Sequence, residues 1–365
     1  MKILILNWRD PLGPTAGGAE RYVQRLGEIW STEEQEVTIF APGGAGRPPR
    51  ERCRGVEYLR MGGRHTVFPA ARRYLRRHGR SYDWVIDSVS TRPFFAHRVV
   101  GGRAIVLYHQ MAIDVWNVEF RPPVSWIGRR VVEPHWARAM RGAYVISVSA
   151  STAQDLATRG INSIAIVPPG RDPTSSPDAR SLKASPRLLF MGRLARQKRP
   201  DAAIAAFRLI HRQFPGARLD VLGDGYMRPI LEKIGEEGVH IHGFVTEDEK
   251  NRYLDAADLM LIPSTREGWG IIAVEAAAHG VPVVAYDVGG LRDSVVHLRT
   301  GVLCAPHPKA AAEAAVGLLS DPRAWGRMSS QAQEWAGQFT WNRTAREVME
   351  VLTSRGEELV TAPAA

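Results

Sequence analysis

Two carboxylates and two cations carry the chemistry this sequence offers. Glu267 and Glu275 stand eight positions apart in STREGWGIIAVEAAAHGVPVVAYDVGGLRD, which runs from Ser264 to Asp293. Arg193 and Lys198 stand five apart in MGRLARQKRP. A glycosidase places two carboxyls roughly 5–10 Å apart on opposite sides of one bond. On a helix rising about 1.5 Å per residue, this pair is separated by roughly 10 Å or more, so each side chain reaches a different part of one extended ligand. Solvated glutamates favoured by a helix dipole are the alternative reading of the spacing alone. An arginine fork and a lysine point charge near each other suit a diphosphate and would neutralise it as a leaving group.

The elements that must hold these groups can be read around them. DLMLIPS, from Asp258, is an apolar run ending in a polar turn and is predicted as a buried strand. A loop spaced by Gly268 and Gly270 follows, then an alanine-rich helix stopped by Gly280, then a second strand, VPVVAY. In such a β-loop-α-β unit the helix N-terminus turns its N–H groups and positive dipole end into the crevice above the sheet, a seat for an anion. RLLFMGRLARQKRPDAAIAAFRLI repeats the pattern, with Arg193 and Lys198 between strand and helix.

The Glu-seven-Glu spacing within EGWG…VEA..HGVPVVA…GGLRD resembles the donor-site signature of retaining GT-B glycosyltransferases of the large family four. The resemblance implies an α/β chain of two Rossmann-like domains facing across a cleft. Residues 1–170 would bind the acceptor, 171–340 the nucleotide sugar, and 341–365 would form a terminal helix and tail returning to the first domain. It implies that Glu267 meets hydroxyls of the transferred sugar and that Gly268, Gly270, Ile271 and Ile272 hold sugar and diphosphate. Glu275 would take the ribose. Arg193 and Lys198 match the family's G-R-L…K element on the diphosphate, and Phe244 and Val245 fall in the segment that meets the nucleobase. GGAER, with Gly17 and Gly18, resembles the N-terminal glycine loop opposite the diphosphate. His109, at the end of the strand AIVLYH, matches the histidine that approaches the transferred sugar. The activity implied is hexosyl transfer with retention from a UDP- or GDP-sugar to a glycan, lipid-linked or small-molecule acceptor. MAIDVWNVEF, just beyond His109, resembles a stretch found in a bacterial subset of the family and points to no substrate.

Composition bounds the rest. With 365 residues the chain outgrows one core. It has no apolar run near the ~20 residues of a membrane span. MKILILNW is predicted as a first strand, not a signal peptide. Two distant cysteines, Cys53 and Cys304, fit a reduced, cytoplasmic protein. The net charge of +10 falls wholly within residues 1–170, residues 171–365 being balanced. An anionic partner for the first half is the reading of that asymmetry. In HTVFPAARRYLRRHGR, Phe68, Ala71, Tyr74 and Leu75 keep helical spacing while Arg72, Arg73, Arg76, Arg77 and Arg80 fill the remaining arc. A basic amphipathic helix of this kind suits peripheral contact with the inner membrane face. GGAGRPPRERCRG, between two predicted strands, is expected to be loop. Ser149 and Ser151 are both candidate N-caps for the helix after AYVISV. No Asp-x-Asp occurs, and His240 with His242 is too few ligands for a metal, so neither metal nor cofactor is expected. The sequence carries no nucleic-acid-binding motif. A nucleotide-sugar epimerase of the same shape and a membrane-docked binding module without catalysis are the competing readings.

Overall fold

The computed structural model describes residues 1–361 apart from 15, 45, 113–114 and 175–179, with only the backbone described for 359–361. Residues 175–179 of the linker expected after Gly170 therefore lie outside the described residues. Two compact units emerge. One comprises Met1–Ile113, Ile127–Gly170 and Thr340–Ala365, the other Asp114–Trp126 and Arg171–Phe339. Residues 115–126, which the sequence places in the first domain, pack within the second unit.

The first unit is built on strands β1 (Lys2–Leu6), β2 (Glu36–Ala41), β3 (Arg50–Cys53), β4 (Val56–Arg60), β5 (Trp84–Val89), β6 (Ala104–Tyr108), β7 (Tyr144–Ser147) and β8 (Ser163–Ile166). Their order is β3-β4-β2-β1-β5-β6-β7-β8. All neighbours are parallel except β3, which runs antiparallel to β4 with Arg50 opposite Leu59. β3 corrects the expectation of a loop in GGAGRPPRERCRG. Its RERC sequence alternates exposed and half-buried residues at the sheet edge, where charge is tolerated because one flank pairs with nothing. The central strands are covered on both faces and so read as unbroken apolar runs.

Helix Gly18–Thr32 buries Tyr22, Val23, Leu26 and Trp30 on one stripe. Helix Trp341–Thr361 lies against it in the same unit. Trp30 Nε1 donates to the carbonyl of Ala345 at 3.1 Å, and the rings of Tyr22 and Trp341 meet edge to face, 5.9 Å between centroids. Helix Val67–His78 buries Val67, Ala71 and Leu75 and leaves Arg72, Arg73, Arg76 and Arg77 exposed. None of these four guanidinium groups is ion-paired among the described residues. Of the two serine candidates, Ser149 caps helix Ala150–Ala157, accepting the N–H of Thr152 at 3.0 Å. No helix among the described residues is long and apolar enough to cross a membrane.

The second unit holds β9 (Arg187–Met191), β10 (Arg218–Leu222), β11 (Val239–Gly243), β12 (Leu259–Ile262), β13 (Val283–Tyr286) and β14 (Gly301–Cys304). The order is β11-β10-β9-β12-β13-β14, parallel throughout. Alternate residues serve the two faces. Leu188 and Phe190 join one core with Phe207 and Leu219, while Leu189 and Met191 join the other with Met260 and Ala273. The chain winds outward from β9 through β10 and β11, then returns to β12 on the opposite side. Strand direction of growth thus reverses between β9 and β12, the place where doubly wound sheets open a ligand crevice at their carboxyl ends.

Candidate active site

That crevice is bordered by the loop after β9 and the loop after β12. The first carries Arg193, exposed, and the short 3-10 turn Arg196–Lys198. The second carries Ser264, Glu267, Gly268 and Gly270 before helix Ile271–Ala278. Across the crevice Lys198 Nζ lies 2.5 and 2.6 Å from the two carboxylate oxygens of Glu267, and Ser264 Oγ donates to the same carboxylate at 2.7 Å. Glu267 is only 8% exposed, so its charge is held by a cation and a hydroxyl rather than by bulk water. Gln197 seals the two loops together. Its side-chain amide donates to the carbonyl of Arg266 at 3.1 Å and its own carbonyl accepts the N–H of Thr265 at 2.9 Å.

Two glycines are fixed by this arrangement. Gly270 caps the helix at φ +90°, without a side chain over the first-turn N–H groups of Ile271 and Ile272. Gly290 sits at φ +82°, where an added Cβ would stand 2.3 Å from the carbonyl oxygen of Glu267. Both are left-handed conformations that a side chain would strain. At the other end of the helix, Gly280 and Val281 donate to Ala277 and Ala276, each at 2.9 Å, a Schellman stop.

Glu275 lies inside that helix and takes a different cation. Its Oε1 accepts from Lys250 Nζ at 2.8 Å, and both side chains line a small pocket with Asn251, His279 and Arg171. The two glutamates are therefore engaged by separate lysines. Phe244, just past β11, is 80% exposed, and Val245 beside it is half-buried. His242 bonds Asp220 and Tyr253, and no group of three His, Cys, Asp or Glu suited to a metal occurs among the described residues.

In the first unit one chain of hydrogen bonds runs from the glycine loop to His109. Glu20 accepts the N–H of Gly17 at 2.8 Å, three residues earlier, as in a capping box, with Gly18 opening the helix. Asn7 donates to Glu20 and to the carbonyl of Arg9 and accepts from Ser88 Oγ at 2.9 Å. Ser88 Oγ lies 3.0 Å from His109 Nε2. The single hydroxyl proton of Ser88 is spent on Asn7, so Nε2 of His109 carries the proton and donates, leaving Nδ1 as an acceptor. Burial drives the imidazole pKa down to about 3, so His109 is neutral at physiological pH. It is a hydrogen-bonding group, not a cation.

Sequence reasoning quoted Ser264, Gly290 and Asp293 inside the motif without giving them work. Asp293 accepts the N–H of Gly290 at 3.2 Å, which braces the turn under Glu267. The signal lay in GGLRD, a glycine followed three residues later by an acid ahead of a helix.

Two mainly parallel sheets, with a lysine–glutamate pair at the switch point of the second, have the form of a glycosyltransferase of the GT-B fold. A family model described as Glycosyltransferase Family 4 matches residues 16–175, and one described as Glycosyl transferases group 1 matches residues 173–335. The chain belongs to this family, the GT-B glycosyltransferases of family four. A glycogen synthase of Mycobacterium tuberculosis is 27% identical over 404 residues, spanning 98% of this chain and 96% of that protein. Sucrose-phosphate synthase from Thermosynechococcus elongatus shares the fold with a TM-score of 0.78 at 21% identity, covering 97% of this chain and 98% of that one. Anabaena HepE, solved in complex with UDP-glucose, does so with a TM-score of 0.73 at 19% identity, covering 97% and 100%.

Proposed function

We propose that the chain moves a hexose, with retention at the anomeric carbon, from a nucleoside-diphosphate sugar to a glycan, lipid-linked or small-molecule acceptor. The observation that carries this reading is the Lys198–Glu267 pair, set across the β9/β12 crevice beside a helix start capped only by glycine. Such a place suits an extended anion whose far end bears hydroxyls. Lys198, Arg193 and the first-turn N–H groups of Ile271 and Ile272 stabilise the departing diphosphate. Glu267 orients the sugar, as does Nδ1 of His109. Glu275 takes the ribose, Phe244 and Val245 meet the base, and Gly17 and Gly18 leave room for the diphosphate.

In this reading the bond from the anomeric carbon to the diphosphate oxygen breaks while the acceptor oxygen bonds on the same face. The acceptor proton passes to the leaving phosphate. In this front-face reading Glu267 serves to orient sugar hydroxyls and no carboxylate acts as a nucleophile. Neither a divalent metal nor a further cofactor takes part. HepE's UDP-glucose favours UDP as the nucleotide. The exposed arginines of helix Val67–His78 support a further part of this proposal, contact with an anionic acceptor or lipid surface and a peripheral position on the inner membrane face. Calorimetric titration of the purified chain with UDP, GDP and UDP-glucose tests the core of this. Binding of a nucleoside diphosphate that is lost in Glu275→Ala is expected. No heat from any of the three sinks the reading.

A further inference from the structure

The stretch MAIDVWNVEF, without a role from sequence, ends in helix Val115–Glu119, which lies in the chain between β6 and β7 yet belongs to the second compact unit. Its last residue, Glu119, spends both carboxylate oxygens on the turn that carries Lys198. Oε1 accepts the N–H of Gln197 at 2.9 Å. Oε2 accepts the hydroxyl of Tyr226 at 2.6 Å, and that hydroxyl in turn accepts the N–H of Arg196 at 2.8 Å. Two consecutive N–H groups of the turn Arg196–Lys198 are thus held by one side chain, the first through Tyr226 and the second directly.

The turn needs this help. Three residues of 3-10 helix have little stiffness of their own, and Arg199, next in the chain, sits at φ +53°, a left-handed conformation that is strained for a non-glycine residue. Hydrogen bonds to an ionised carboxylate are roughly twice as strong as neutral ones. On its other side the turn is tied to the Glu267 loop by Gln197. Glu119 is the charged group on the outer side, and the residue after the one it grips is Lys198.

We infer that Glu119 is a positioning residue for glycosyl transfer. It fixes the register of the turn so that the Lys198 ammonium meets the donor diphosphate as charge develops there. The inference rests on the role proposed above for Lys198. A displacement of about 1 Å in such a group is enough to cost up to 10²-fold in rate.

The test uses the full chain and cleavage of UDP-glucose and GDP-mannose with water as acceptor, kcat and KM being measured separately. Glu119→Ala is expected to lower kcat about tenfold, with KM within about twofold of wild type and melting within about 2 °C. Glu119→Gln, which keeps an acceptor for Gln197, restores most of the rate, and Tyr226→Phe falls between. The double variant Glu119→Ala/Lys198→Ala is no slower than Lys198→Ala alone, because Glu119 acts only through that lysine. Multiplied losses in the double variant overturn the inference. So does a near-normal kcat in Glu119→Ala beside an impaired Lys198→Ala, and in that case the proposed function stands. A normal rate in Lys198→Ala, or cleavage of neither donor, removes the proposed function and the inference with it.

Discussion

Lys198 bonds both carboxylate oxygens of Glu267 from 69 residues earlier in the chain, at 2.5 and 2.6 Å. The pair holds its own charges in balance at the site proposed for the donor diphosphate. In the proposed reaction a diphosphate arriving beside it would compete for the ammonium and release the carboxylate toward sugar hydroxyls. Lys198→Ala should lower turnover about 10²–10³-fold, the usual cost of one lost donor to developing charge. It should also cost about 1–3 kcal/mol of stability, because Glu267 is buried and loses its cation. Steady-state rates and denaturant melts measure the two effects. A wild-type rate would count against the assignment.

Gly290→Ala places a methyl group against the backbone of Glu267 at a left-handed φ. The expected result is a loss of about 2 kcal/mol or more, together with weakened nucleotide affinity. Gly44→Ala has the same sign of φ, +138°, but nothing within 4 Å of the new methyl. It controls for backbone strain alone and should leave nucleotide affinity unchanged.

His109 gives a pH signature. Its pKa falls from 6.5 in an open chain to about 3 in the fold because the imidazole is buried. The unfolded state therefore binds more protons between those limits, and the contribution of His109 is complete above pH 6.5 and is lost as pH falls toward 3. The slope is about 1.4 kcal/mol per pH unit at most. Asp87, pushed up to about 6 by burial, works in the opposite sense between its ordinary value and 6. The measurement is accordingly the difference between wild type and His109→Asn in urea melts from pH 4 to 8. That difference should shrink as the pH is lowered. A constant difference would mean that His109 is not buried neutral.

Reversing the exposed arc with Arg72→Glu, Arg73→Glu, Arg76→Glu and Arg77→Glu should abolish sedimentation with phosphatidylglycerol vesicles. At roughly 1 kcal/mol per basic residue near an anionic surface, the loss is several orders of magnitude in partition and grows at low salt. Melting should be unaffected, since none of the four is ion-paired among the described residues. Equal binding by both proteins would remove the membrane from the reading.

Transfer is proposed to proceed without a divalent ion. Rates measured in excess EDTA should match untreated enzyme, and added magnesium should not raise them. Loss of activity in chelator that magnesium restores would reverse this.

Most of the architecture was legible because parallel strands buried on both faces are written as continuous apolar runs, and Gly280 marked the end of its helix. RERC escaped because an edge strand can afford charge on alternate residues. The choice between Ser149 and Ser151 needed backbone geometry. The site was legible as a set of residue types, yet the pairing of Lys198 with Glu267 rather than with Glu275 depends on which strands lie side by side. That order is a property of the whole sheet. The grip of Glu119 on Gln197 spans 78 residues and leaves no local periodicity, so nothing in MAIDVWNVEF could announce it.

The winding of the second sheet also dictates what a growing polypeptide can do. β9 leaves the ribosome before both of its neighbours, and β12, on one flank, is synthesised only after β10 and β11 of the other. Until residue 267 has emerged, the ammonium at 198 has no acidic counterpart and the pocket has one wall. On the proposed reading, a nascent fragment that stops short of this carboxylate is not expected to hold activated sugar.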